Sequence, residues 1–115
     1  MNKFELFTMI YYALDSYYSD VDEIEDSINV VISGMNPFLW EDISSADPAY
    51  YDEFCKFISD KEINLDNSLE IAKEYIKTIK YANVADAMMN MPKDKWLTAC
   101  KEYLKSEHKG AEASY

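Results

Sequence analysis

The chain has no arginine and no glutamine, and in 115 residues it carries only one histidine, two cysteines, two glycines and three prolines. Each shortage excludes something. Without arginine there is no planar fork for bidentate phosphate contact, so direct binding of nucleic acid is not expected. Cys55 and Cys100 lie far apart; they read as two free, buried thiols in a reducing compartment, not as a disulfide framework. With His108 they make three soft ligands, short of the roughly four of a structural zinc site. His108 falls in the small polar stretch 108–115, read as a frayed tail beyond a helical domain spanning 1–107. A Ser–His or Cys–His nucleophile is therefore not expected. Near-absence of glycine removes any phosphate-cradling loop. No apolar run approaches the roughly 20 residues of a membrane span. Lys3 is followed by a mixed segment with Glu5, Thr8 and Asp15, unlike a secretory leader, so a cytoplasmic protein is expected.

What the chain has in excess is negative charge, and it is unevenly placed. The net charge is −11. Residues 1–55 hold twelve carboxylates (Glu5, Asp15, Asp20, Asp22, Glu23, Glu25, Asp26, Glu41, Asp42, Asp47, Asp52, Glu53) against Lys3 alone, whereas residues 56–115 hold ten acids and ten lysines. The imbalance thus resides in the N-terminal half. Such a field repels nucleic acid and anionic membrane and attracts basic protein surfaces. Abundant Ile, Leu, Phe and Tyr offset the tendency of high charge to disorder a chain, and the length fits one domain.

The apolar residues repeat with helical period throughout, so the fold is read as all-α: five or six helices in one bundle-like or orthogonal domain. From Phe4 to Ser19 one arc takes Phe4, Leu6, Phe7, Ile10, Tyr11, Leu14, Tyr17 and Tyr18. The opposite arc takes Glu5, Thr8, Asp15, Ser16 and Ser19, with Tyr12 in its middle. A second helix is expected from Asp20, with Glu23 completing a near capping box and acids crowding its first turns. Val21, Ile24, Ile28, Val31 and Ile32 form its face, and Gly34 stops it. Asn36-Pro37 is read as opening a short helical turn through Phe38, Leu39 and Trp40, followed by a polar loop from Glu41 to Ala46. Asp47-Pro48 opens a helix that buries Tyr50, Tyr51, Phe54, Phe57 and Ile58, with Cys55 at the edge. Asp66 or Asn67 caps the next, a short helix runs Val84–Asn90, and Pro92 opens the last. No strand alternation or repeat occurs.

The acidic run 20–26 does not fit a calcium loop, since Ile24 takes a ligand position and the loop glycine is missing. No cofactor or metal is expected. Carboxylates are plentiful, but the sequence sets no catalytic spacing between any two, and no enzyme activity is expected. The ten tyrosines are mostly core by their spacing. However, the pairs 11–12, 17–18 and 50–51 cannot all point inward, because neighbours differ by 100°. Tyrosines reaching the surface beside carboxylates suit a protein interface.

The segment Asn36-Pro37-Phe38-Leu39-Trp40-Glu41-Asp42-Ile43-Ser44-Ser45-Ala46-Asp47-Pro48-Ala49-Tyr50-Tyr51-Asp52-Glu53-Phe54 resembles small acidic immunity proteins of bacterial toxin systems, including contact-dependent growth inhibition. The likeness covers about twenty residues plus the short, helical, acidic character. It implies a protein that binds and neutralises a cognate toxin, often a nuclease, and carries over no catalytic residue. The expected partner is a protein toxin with a basic surface, with neither nucleic acid nor membrane bound directly. The expected contact residues are Tyr12, Asp20, Asp22, Glu23, Glu25, Asp26, Trp40, Glu41, Asp42, Asp47, Asp52 and Glu53. Two rival readings share the charge: a nucleic-acid mimic of the anti-restriction or anti-CRISPR type, and an acidic helical adaptor or regulator.

Overall fold

Asn2 takes the Glu5 amide on its side-chain oxygen at 2.8 Å, and the Glu5 carboxylate takes the Asn2 amide at 2.8 Å. This reciprocal capping box starts α1, Lys3–Ser19. In this computed structural model, which describes residues 1–21 and 23–111, five more helices follow. They are α2 (Asp26–Met35), α3 (Pro48–Ile58), α4 (Leu65–Lys77), α5 (Ala85–Met89) and α6 (Lys93–Lys105). The described residues contain no strand, so the domain is all-α. Helix α1 is the axis: α2, α3, α4 and α5 all pack on it, and α6 lies on α4. The radius of gyration, 13.3 Å, is what a compact chain of this length should have.

The central position of α1 explains a departure from its helical wheel. Both Glu5 and Thr8, assigned to the outer arc, are buried, while Tyr17 is exposed. A helix covered on most sides buries its polar residues too, provided they are bonded. The Thr8 hydroxyl donates to the Phe4 carbonyl at 2.8 Å, and Glu5 is held as described above and by His108. Aromatic rings pack together on one side of the core around α1. Tyr51 meets Phe4 and Phe7 edge-on at 5.6 and 5.2 Å, and Phe54 meets Tyr75 edge-on at 4.8 Å. Edge-to-face rings of this kind add about 0.5–1.5 kcal/mol each beyond their area. Trp96 is buried and donates its indole N–H to the Ser68 hydroxyl at 2.8 Å, which ties α6 to α4.

Helix starts were partly misread. Helix α2 begins at Asp26, not near Asp20, and its cap residue Glu25 makes no side-chain cap bond. Carboxylates at 20, 23 and 26 would lie on one face of a continuous helix and repel, while the exposed Val21 has little to bury. Of the acids expected in the first turns, Asp26 alone is there; Asp22 lies outside the described residues. Asn64, not Asp66 or Asn67, caps α4, with Asn67 as its return partner. Asp47-Pro48 does open α3, with the Asp47 side chain accepting from the Ala49 amide.

Gly34 does not stop α2, which runs on to Met35. Its role is close approach: a Cβ there would sit 2.4 Å from Cε2 of Tyr50 on α3. The expected split of the tyrosine pairs occurs at 11–12 and 17–18, but both Tyr50 and Tyr51 are buried. Tyr50 lies against Gly34 and Tyr51 against α1, so α3 is covered on two sides. Cys100 is buried and Cys55 half-buried, both as free thiols; burial pushes the Cys100 thiol up to about 12.

Candidate functional site

Residues 36–47 form a closed loop, not the short helical turn expected at 37–40. Its ends are stapled by Ala46 N–H to the Asn36 carbonyl at 2.8 Å and Asp47 N–H to the Gly34 carbonyl at 2.9 Å. Inside it, the Asn36 side chain takes the Phe38 amide at 2.9 Å, and the Trp40 indole donates to the Ala46 carbonyl at 3.2 Å. These bonds compete with helical ones, which is why the Pro37 start does not propagate. Buried Ser45 anchors the exit, donating to the Asp47 carbonyl and accepting from the Tyr51 amide. A compact surface loop of this kind, with adjacent ends, is a frequent carrier of binding residues.

The loop displays Phe38, Leu39 and Trp40 to solvent at 45, 59 and 50% exposure. Phe38 continues onto α1, with its ring 5.7 Å from Tyr12 and 6.2 Å from Tyr11. Tyr12 in turn meets Tyr103 of α6 at 5.9 Å. The result is a surface aromatic ridge from α6 across α1 to the loop tip, where Glu41 and Asp42 follow directly in the chain and are exposed. On its far side Tyr12 lines a groove of about 360 Å³ between α1 and α6, with Met9, Tyr17, Asp20, Met91 and Lys95. Burial raises Tyr12 and Tyr11 above the ordinary phenol value, Asp15 adding to it at Tyr11. The phenols on this ridge therefore stay neutral hydrogen-bonding groups at physiological pH.

Of the contact residues read from the sequence, Tyr12 lies against Phe38 of this loop, and Trp40, Glu41 and Asp42 are exposed in the same loop. Asp20 shares the groove beside Tyr12, and the others lie elsewhere. Glu25 lines a shallow groove with Lys77, Lys80 and Tyr81, so that side of the molecule is of mixed sign. Tyr81, exposed, donates its hydroxyl to that of Tyr50 at 2.7 Å. Burial raises its pKa, the Tyr50 hydrogen bond adds to this, and Glu53 and Asp47 act in the same direction from nearby. Asp20, Glu23, Glu25 and Asp26 at the α1–α2 connection, and Asp47, Asp52 and Glu53 on α3, are exposed carboxylates. Phe38 and Leu39 were missed because a helical turn hides neither or either; only the loop's own hydrogen bonds turn both outward.

The segment after α6, expected to fray from residue 108, is docked on the domain through residues 108–110. His108 Nε2 lies 2.6 Å from Glu5 Oε2, with both side chains nearly inaccessible, and Nδ1 lies 2.7 Å from the Ser106 carbonyl. Each ring nitrogen thus faces an oxygen, which fixes the orientation of the ring. The His108 ring stacks 4.2 Å from Tyr103. Residues 112–115 of the expected tail lie outside the described residues.

Among the described residues, no three His, Cys, Asp or Glu side chains converge as a metal site would require, and no helix is long and apolar enough to cross a membrane. No protein-family model, curated protein or solved structure matches the chain.

Proposed function

We propose that this protein is an inhibitory binder, an immunity protein or antitoxin that docks in the cytoplasm on a basic toxin, of the nuclease class, and covers its active site. The observation that carries this reading is an exposed aromatic contact, Tyr12 on Phe38, on a loop that also exposes Trp40, within a half-chain of carboxylates that holds one lysine. A nuclease cleft must attract a polyanion, so it presents positive charge. Carboxylates steer association with such a cleft, up to about 10⁸–10⁹ M⁻¹s⁻¹ at low salt. Aromatic anchors near the centre of an interface then set its lifetime. A nucleic-acid mimic would share the charge but has no use for three large apolar side chains at its centre, and this favours the toxin-binding reading. The experiment is co-purification of the tagged protein from its native host, followed by assay of the bound protein alone and in complex. The reading expects a basic protein whose activity, nuclease activity first, is lost in the complex. An acidic partner, or a partner equally active when bound, would refute it.

A further inference from the structure

The loop that carries Phe38, Leu39 and Trp40 gives two of its carbonyl oxygens to a residue more than sixty positions away. The Lys109 ammonium donates to the Pro37 carbonyl at 2.7 Å and to the Trp40 carbonyl. These two acceptors bracket the three exposed apolar residues. Lys109 is placed by its neighbours on both sides. His108 is fixed to Glu5, and the Gly110 carbonyl accepts from the side-chain Nδ2 of Asn2 at 2.9 Å. Gly110 has φ +85, and a Cβ there would lie 2.6 Å from the Phe4 ring; it is the position where only glycine lets the strand of chain cross α1. The ammonium also lies 5.3 Å above the Phe4 ring. Three successive residues, 108, 109 and 110, thus each hold a different long-range partner.

We propose that residues 108–110 form a clasp that holds the docking loop in its binding shape, with Lys109 as the positioning residue. The proposal rests on the reading of the 38–42 surface as the docking face. A loop tip with three exposed apolar side chains has little of its own to bury, and free it would sample many arrangements. Fixing the carbonyls on either side of the tip leaves Phe38, Leu39 and Trp40 displayed, and moves the cost of ordering from the encounter to the folding of the chain. Lys109 is suited to this because its ammonium has more than one N–H donor and can meet both carbonyl oxygens at once. Partial burial lowers its pKa, and nearby Asp42 counteracts this. The clasp also puts a positive charge, otherwise almost absent from the acidic half, behind the loop and not on its outer face.

The test compares Lys109→Met, Lys109→Arg, Gly110→Ala and the control Lys105→Met, which alters an exposed residue in the last turn of α6. Two measurements are made on the full chain. The first, without any partner, is exchange of the Trp40 indole N–H and of the Ala46 and Asp47 amides that close the loop. The second is equilibrium affinity for the co-purified partner immobilised on a sensor surface. Lys109→Met and Gly110→Ala should speed exchange at these three protons by tenfold or more. Lys109→Arg should restore most of the protection, and Lys105→Met should change nothing. If the docking-competent shape falls to about a tenth of the population, apparent affinity falls about tenfold. Exchange in Lys109→Met equal to wild type overturns the clasp, whatever the partner does. Faster exchange with unchanged affinity leaves the clasp standing and overturns the 38–42 docking face on which its purpose rests.

Discussion

Replacing Gly34 by alanine tests whether this glycine ends a helix or admits a neighbour. At a mid-helix site with free space the change should stabilise by about 1 kcal/mol, since glycine is the costlier helix residue. Gly34 lies inside α2, so that gain is available. Against it stands the ring of Tyr50, whose Cε2 and Cδ2 would be 2.4 and 2.9 Å from the new Cβ. The contact is with a ring edge, not a flexible chain end. Tyr50 cannot simply swing away, because it is buried and its hydroxyl is bonded to that of Tyr81. Relief therefore requires α2 and α3 to separate by about an ångström, and overpacking of this kind costs about 1–3 kcal/mol. The net expectation is a loss of up to about 2 kcal/mol, measured as the shift in urea midpoint at constant slope. The decisive step is the same change in a Tyr50→Leu background. Leucine lacks the ring edge, so Gly34→Ala should there become neutral or stabilising. A loss of equal size in both backgrounds, or a gain in both, would refute the close-approach account.

Three further expectations follow from the core. Ser68→Ala should cost about 1–3 kcal/mol by leaving the buried Trp96 indole N–H without an acceptor; in a Trp96→Phe background the same change should cost much less, as a urea-melt double-mutant cycle would show. With a thiol reagent under native conditions, half-buried Cys55 should react first and Cys100 only as the protein unfolds; mass spectrometry of the labelled peptides distinguishes them. Stability should fall in alkali: burial raises Cys100 from 9.0 to about 12, and chiefly burial raises Tyr103 from 10.0 to about 12. A raised folded pKa favours the neutral form, so this contribution is whole below pH 9 and is lost as pH climbs through about 12. Urea midpoints measured from pH 7 upward should hold to about pH 9 and decline beyond it.

The helical faces were legible in the sequence because each is written locally. Apolar spacing marks α3, α4 and α6, and Asp47-Pro48 marks a start without outside help. Tyr12 and Trp40 were legible as surface candidates for the same reason: one sits in a polar stripe, the other beside an acidic loop. What the sequence concealed depends on distant residues. Gly34 reads as a stop until Tyr50 is seen beside it. Glu5 reads as solvent-facing until His108 arrives from the other end of the chain. Residues 108–110 are small and polar, a composition that gives no local sign that Lys109 reaches Pro37 and Trp40. The run 20–26 misled for an electrostatic reason, since clustered acids favour a helix N-terminus one or two at a time but repel when wound together. Charge counted along the chain also concealed that Lys77 and Lys80 fold beside Glu25, whereas in the 38–42 loop Glu41 and Asp42 directly follow three large exposed apolar side chains.

The central claim, that this loop and Tyr12 form the docking face, is tested most directly by separating the two rates of complex formation. Association and dissociation with the co-purified partner are measured at two salt concentrations. The variants are Trp40→Ala with Tyr12→Ala, Glu41→Lys with Asp42→Lys, and Glu25→Lys with Asp26→Lys. The account predicts that the aromatic pair speeds dissociation with little change in association. It predicts that reversal at 41 and 42 slows association most at low salt, where screening is weakest, and that reversal at 25 and 26 does so less. Dissociation unchanged in the aromatic pair, with reversal at 25 and 26 having the largest effect on association, would contradict it and move the docking face to the α1–α2 connection.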